Sequence, residues 1–240
     1  MGAFAHSMSS VRLRRALRAT YRLIANSAAA PLLQAPVVER GRRRLTATYV
    51  ALEDVVEILG VLNARGVHAW LVGGWACDAL LGEQSRPHSD IDLVIPDLAA
   101  PRAVEVLRRR GFAIYERRPA GLLSSALELI DRRRRRVALH LVDLDQGGRG
   151  DWERAIRTAG KAIGQDCREL FATGYLGGRA LPCVSAAAQL VLHTGYPPGV
   201  EDRHNVRLLC ERFSLRLPPG YPASGTTALL IPVPEAELVF

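Results

Sequence analysis

Apolar residues recur at helical spacing from Val50 through Leu52, Val55, Val56, Ile58 and Leu59 to Leu62, and Gly66 is placed to end that helix. Val67 to Val72 is a short apolar run and predicts a strand, broken at once by Gly73-Gly74. Trp75 to Leu81 reads as a helix closed by Gly82. A polar connection, Glu83 to Ser89, then leads into Asp90-Ile91-Asp92-Leu93-Val94-Ile95, where acidic and apolar residues alternate as a half-buried strand requires. Ala100 to Arg110 predicts a further helix ending at Gly111. Three more strands are expected at Phe112 to Glu116, Ala126 to Ile130 and Val137 to Leu144. After a loop marked by Gly147-Gly148-Arg149-Gly150 come a strand-and-turn region around Gly174 to Pro182 and two helices. These are Ser185 to His193, with Ser185 as N-cap, and Asp202 to Phe213. The alternation predicts an α+β fold, a small mixed sheet with helices on one side and a C-terminal helical region.

The flanks differ from this body. Residues 1–45 form a basic N-terminal extension in which Val11, Leu13, Leu17, Tyr21 and Ile24 fall at roughly helical spacing, ended by Pro31 and Pro36. Residues 46–146 are expected to be the core, 147–218 the helical region, and 219–240 a tail. Asn26 and Ser27 interrupt the apolar stretch after the N-terminal arginines, so it reads as a basic helix and loop rather than a secretory leader.

Composition narrows the class. With 48% hydrophobic and 23% charged residues over 240 positions, the chain reads as a globular protein with one buried domain. No apolar run approaches the roughly 20 residues that cross a bilayer, so no membrane partner is expected. The four cysteines (Cys77, Cys167, Cys183, Cys210) are widely spaced, which argues against structural zinc and fits a reducing, cytoplasmic setting. The net charge of +8, almost all of it arginine, suits polyanions, either a nucleoside triphosphate or nucleic acid. The run Arg132 to Arg136 is expected to be a solvated hairpin turn, because no aromatic residues interleave with it as they do in nucleic-acid surfaces.

The chemistry concentrates at two places. Carboxylates at i and i+2 on a strand project from one face, so Asp90 and Asp92 set two hard oxygen donors side by side, as Mg²⁺ bridging triphosphate oxygens requires. Gly73-Gly74, between a strand and a helix, lets backbone approach a phosphate while the helix start offers free N–H groups.

The string Leu71-Val72-Gly73-Gly74-Trp75-Ala76-Cys77-Asp78-Ala79-Leu80-Leu81-Gly82, followed by Arg86-Pro87-His88-Ser89-Asp90-Ile91-Asp92, resembles the antibiotic-modifying branch of the polymerase-β-like nucleotidyltransferase superfamily. The nearest likeness is to the aminoglycoside 2''-adenylyltransferase-like and lincosamide nucleotidyltransferase families. A second block agrees: Pro182 to Ser185, Ala188-Gln189, His193 to Tyr196 and Asp202-Arg203-His204. The resemblance covers about residues 50 to 218 and implies that Asp90 and Asp92 coordinate Mg²⁺. It further implies that Gly73 and Gly74 cradle the β- and γ-phosphates of ATP or another nucleoside triphosphate, with Arg86 or His88 near the triphosphate. The implied reaction is transfer of a nucleoside monophosphate to a hydroxyl of a small molecule, such as an aminoglycoside or lincosamide.

One position departs from the family. A third carboxylate is commonly found there in a pattern like Val-Asp-x-His, whereas this chain reads Val137-Ala138-Leu139-His140. His140 is then expected to supply the general base, with Asp145 or Glu128 as alternatives. Asp78 is read as either a solvent-facing or locally hydrogen-bonded carboxylate, or as having a structural role at the site. His193, Tyr196, Asp202 and His204 either line the acceptor pocket or hold the helical region together, and Trp75 is expected in the core. Two other readings stand beside the main one. The glycine string also resembles the head of tRNA nucleotidyltransferases, which would make RNA the acceptor; against it, Cys77 stands where those enzymes carry Arg. Ala138 supports a nucleotide-binding module that has lost turnover.

Overall fold

The computed structural model describes residues 49–118, 125–144, 150–194 and 196–221. The expected N-terminal helix, Gly147 to Arg149, Asp145 and most of the tail lie outside them. Helix α1 (Leu52–Asn63) buries Val55, Ile58, Leu59 and Leu62 on one face, as their spacing predicts. Asp54 closes its start by accepting from the Ala51 N–H at 3.1 Å. The expected strand from Val67 is shorter than predicted, β1 being Trp70–Val72. The reason is local, because the Val67 N–H still closes the helix by donating to the Leu62 carbonyl at 3.0 Å.

Helix α2 (Gly74–Leu81) follows β1 directly and ends at Gly82, whose φ of 88° lies where a side chain is strained. Strand β2 is Asp90–Pro96, and a short 3₁₀ turn leads to α3 (Ala100–Arg109). Strands β3 (Ala113–Arg118), β4 (Ser125–Ile130) and β5 (Arg136–Val142) form an antiparallel meander. A helix that the sequence reading left out, α4 (Asp151–Ala162), comes next. Its signal was present: Trp152 and Ile156 are i, i+4 apolar neighbours, and Glu153 accepts from the Gly150 N–H at 2.9 Å in the first turn. The hairpin β6 (Phe171–Leu176) and β7 (Arg179–Val184) precedes α5 (Ala186–Leu192) and α6 (Val200–Phe213). Ser185 caps α5 as expected, accepting from the Ala188 N–H at 3.3 Å.

The strands join in one seven-stranded sheet of order β3-β4-β5-β2-β1-β7-β6. It is mixed, with β2 parallel to β5 and β1 parallel to β7, while the other neighbours run antiparallel. Helices cover both faces, which corrects the expectation of one covered side. Leu71, Ile91, Leu93, Val137 and Leu139 meet α1, α2 and α3 on one face. Val72, Val94 and Val142, pointing the other way, meet Trp152 and Ile156 of α4 and Ala188 and Val191 of α5. The missed helix is therefore what closes the second layer.

The arginine run does form the β4–β5 turn, but it is only partly solvated. Arg132 to Arg134 are exposed, whereas Arg135 turns back onto Asp131 at 2.7 Å and Asp54 at 2.5 Å. Arg136 pairs with Glu128 at 2.6 Å. Cys77, Cys167, Cys183 and Cys210 are all free and buried, and burial pushes the Cys183 thiol up to about 12. Among the described residues no helix is long and apolar enough to cross a membrane.

The approach of β6 to α2 is the tightest packing constraint in the sheet. A Cβ on Gly174 would lie 2.5 Å from the Ala79 carbonyl carbon. Gly174→Ala should therefore cost about 1–3 kcal/mol of stability, as overpacking typically does; urea unfolding measures it, and an unchanged midpoint would refute the close approach.

Candidate active site

The register between β1 and β2 assembles the site. Val72, the last residue of β1, pairs with Asp92, so the glycine turn begins beside the second carboxylate. Gly73 has φ 72° and ψ −142°, a conformation that L side chains rarely adopt, and a Cβ there would stand 3.2 Å from Asp92 Oδ2. Glycine is favoured at this position by its backbone conformation, and a Cβ would in addition crowd the Asp92 carboxylate. Asp90 and Asp92 are half-buried on β2 and share a face, while Ile91 and Leu93 between and beyond them anchor the strand in the opposite core.

The turn is held from two directions. The Gly73 N–H donates to Gln189 Oε1 at 3.1 Å, so α5 of the helical region grips the turn directly. Gln189 is wholly buried, and sequence reading gave it no role beyond the resemblance. His88 lies beneath Gly74, where any Cβ would overlap its ring. The His88 ring also packs against Trp75, with centroids 4.8 Å apart. Its Nε2–H donates to Asp78 Oδ2 at 2.5 Å, and Asp78 Oδ1 accepts from the Ser85 N–H at 3.1 Å and from Ser85 Oγ at 2.7 Å. Both Asp78 and His88 are buried, so Asp78 does not face solvent, and its bonds to His88 and Ser85 are internal ones beneath the turn.

Arg86 is the more exposed of the two residues expected near the triphosphate, with a side-chain exposure of 23% against 3% for His88. A Cβ on Gly74 would come within 3.0 Å of Arg86 Nη2, so the guanidinium borders the turn. Arg86 also reaches Glu201 at the start of α6, 3.7 Å away. Burial, then the charges of Arg86 and Arg207, hold His204 below the usual histidine range. His193 and Tyr196 stand 2.9 Å apart, and Asp202 both approaches them at 3.4 Å and accepts the Gly199 N–H at 2.7 Å. That cluster knits α5 to the start of α6, and its internal bonds give it a structural place.

On the other side of β2, Asp92 pairs with Ala138 and Val94 with His140. His140 Nε2 nonetheless reaches Asp92 Oδ1 at 3.0 Å, so the nitrogen that would carry a proton is turned to the carboxylate. Its Nδ1 is buried without a hydrogen-bond partner. His140 is thus bonded to Asp92 through one ring nitrogen, while the other is buried. Two carboxylates suit a Mg²⁺ ion, which keeps several waters and takes the rest of its oxygens from substrate phosphates. Among the described residues no cluster of three or more His, Cys, Asp or Glu side chains occurs.

A mixed sheet carrying a glycine turn against two strand carboxylates is the core of a nucleotidyltransferase. The fold is shared with the lincosamide antibiotic adenylyltransferase LnuA in its lincomycin-bound crystal structure, at TM-score 0.53 and 24% identity over 68% of this chain and 98% of that one. The solution structure of the antibiotic-resistance factor ANT(2'')-Ia aligns at TM-score 0.50 and 18% identity over 66% of this chain and 82% of that one. The aminoglycoside-2''-adenylyltransferase family model matches residues 54–209, more than half of the chain, and the chain belongs to that family. Among curated relatives, a lincosamide resistance protein of Staphylococcus haemolyticus is 27% identical over 160 residues, 67% of this chain and 94% of that protein. A 2''-aminoglycoside nucleotidyltransferase of Escherichia coli is 34% identical over 76 residues, 31% of this chain and 43% of that protein.

The buried support of the turn can be tested apart from catalysis. Asp78→Ala strands the His88 and Ser85 donors and should cost about 2–5 kcal/mol. Chemical denaturation reads this directly, and a loss below about 1 kcal/mol would mean that the pair does not support the turn.

Proposed function

We propose that the chain transfers adenylate from ATP to a hydroxyl of a small antibiotic, with a lincosamide as the first candidate and an aminoglycoside as the second. The observation that carries this reading is the placement of Asp90 and Asp92 on one face of β2 against the Gly73 turn. The preference for a lincosamide follows the longer alignment, which takes in 94% of the lincosamide resistance protein. The net charge of +8 also disfavours a polycationic acceptor.

In this reading Asp90 and Asp92 hold Mg²⁺. The ion, when bound, polarises the α-phosphoryl group and neutralises departing pyrophosphate. Gly73 and Gly74 admit the phosphates close to backbone, and the start of α2 directs its partial positive charge at them. Gln189 fixes the Gly73 N–H and so sets the height of the turn. Arg86, at the rim, adds a cation for the outer phosphates, while His88 works from below by fixing the path of the chain from Arg86 into β2. His140 keeps the Asp92 carboxylate in one orientation, so that little reorganisation accompanies reaction.

The domain scheme is carried forward in the same terms: an extension at 1–45, the catalytic core at 46–146, a helical region at 147–218 that grips the turn through Gln189, and a tail at 219–240. A cytoplasmic setting accords with four buried free thiols. Nucleic acid stays the less favoured acceptor, because two of the five arginines at the β4–β5 turn are engaged by internal carboxylates.

The test is pyrophosphate release with Mg²⁺ and each nucleoside triphosphate across lincosamides, aminoglycosides and tRNA. ATP with one antibiotic should give acceptor-dependent release, and Asp92→Asn should lower it by about 10³-fold or more by removing a metal ligand. A labelled tRNA product in place of a modified antibiotic would sink the small-molecule reading.

A further inference from the structure

The row of residues that crosses the sheet through Asp92 holds a second feature. Asp92 pairs with Ala138 on β5, Ala138 pairs with Glu128 on β4, and Glu128 pairs with Glu116 on β3. Residues opposite one another in a sheet point to the same face, so Asp92, Ala138 and Glu128 share the face on which Asp90 also lies, the face that α4 and α5 cover further along β2 and β5. Ala138 contributes only a methyl group, leaving a low floor between two carboxylates whose strands are about 10 Å apart, two strand spacings.

Glu128 is 6% exposed, an unusual degree of burial for a glutamate. It is held by Arg136 Nη1 at 2.6 Å. Arg136 pairs in register with Asp90, yet its guanidinium lies 5.6 Å from the Tyr115 ring centre, over β3 and towards Glu128. The arginine thus leans away from β2 and fixes the side chain of β4. Hydroxyl-directed transfer needs a proton acceptor, and the His140 Nε2 on this face is already engaged by Asp92 at 3.0 Å.

We propose that Glu128 takes the proton of the acceptor hydroxyl, its carboxylate standing one strand over from Ala138. In the step, the hydroxyl O–H proton passes to the Glu128 carboxylate as the oxygen bonds to the α-phosphorus. The P–O bond to the β-phosphate breaks, and pyrophosphate leaves with that electron pair. The neutral Glu128 then returns its proton to solvent. The longer glutamate side chain offsets part of the displacement from β5 to β4, and Arg136 holds it in one rotamer. This assignment rests on the proposed hydroxyl-directed adenylyl transfer.

The experiment compares kcat and KM for ATP, with the best acceptor from the panel above, in four proteins. These are the native chain, Glu128→Gln, Glu128→Gln/Ala138→Asp, and Glu128→Gln/Arg136→Gln. Glu128→Gln should lower kcat by about 10²–10⁴-fold, the range of general-base catalysis, with KM for ATP little changed. Returning a carboxylate at Ala138→Asp should recover at least about tenfold of that loss, because the group again stands on the same row and face. The Arg136→Gln pair should stay as slow as Glu128→Gln. Recovery there, without recovery in the Ala138→Asp pair, would show that Glu128 only neutralises Arg136 and would overturn the proposal. Unchanged kcat in Glu128→Gln would overturn it as well while leaving the transferase reading intact. A native chain that releases no pyrophosphate with any acceptor would instead overturn that reading and this assignment together.

Discussion

The pairing of Val72 with Asp92 governs the rest of the molecule. It sets the last residue of β1 beside a carboxylate, so the chain leaving β1 has to turn within van der Waals reach of that side chain. A Cβ there would crowd the Asp92 carboxylate, and only a residue that tolerates positive φ completes the turn into α2. The antiparallel ladder between β1 and β2 therefore ties the glycine turn to the Asp90 and Asp92 carboxylates at a fixed separation. A slip of one residue would turn Asp90 and Asp92 into the core formed by Ile91 and Leu93.

That junction is braced by groups far from it in sequence. Asp78 in α2 and His88 near the end of the polar connection are ten residues apart, so their bond closes the loop between α2 and β2 under the glycines. Gln189 reaches the turn from a helix 116 residues later. These contacts are buried polar groups with defined partners, and such networks set a geometry closely because a misplaced partner leaves an unsatisfied group behind. The bracing explains why the C-terminal helices belong functionally with the sheet even though they carry neither expected metal ligand.

Charge is organised locally in the same way. Despite the excess of arginine, Arg135 is divided between Asp131 and Asp54, and Arg136 is committed to Glu128. These bonds lock the β4–β5 hairpin to α1 on one side and fix the Glu128 side chain on the other. Arg86 is the cation that borders the glycine turn itself. A net charge is thus a poor guide to where anions bind, since paired arginines contribute little outward field.

The local periodicities were enough to place α1, α2, α3 and β2 nearly to the residue, because amphipathic spacing and terminal glycines act within a few positions of the chain. The i, i+2 carboxylates and the glycine pair were legible for the same reason. Helix α4 was legible too, through Trp152, Ile156 and Glu153, but its signal was overshadowed by the glycine-rich segment before it. What lay beyond sequence alone was every relation set by register: Ala138 between Asp92 and Glu128, His140 turned toward Asp92, His88 beneath Gly74, and Gln189 on Gly73. A chain specifies its own periodicity residue by residue, but which strands become neighbours is decided by how apolar faces from distant segments pack together. Only the folded sheet could therefore make α4 and α5 the cover of its second face and place Glu128 on the same row as the carboxylates of β2.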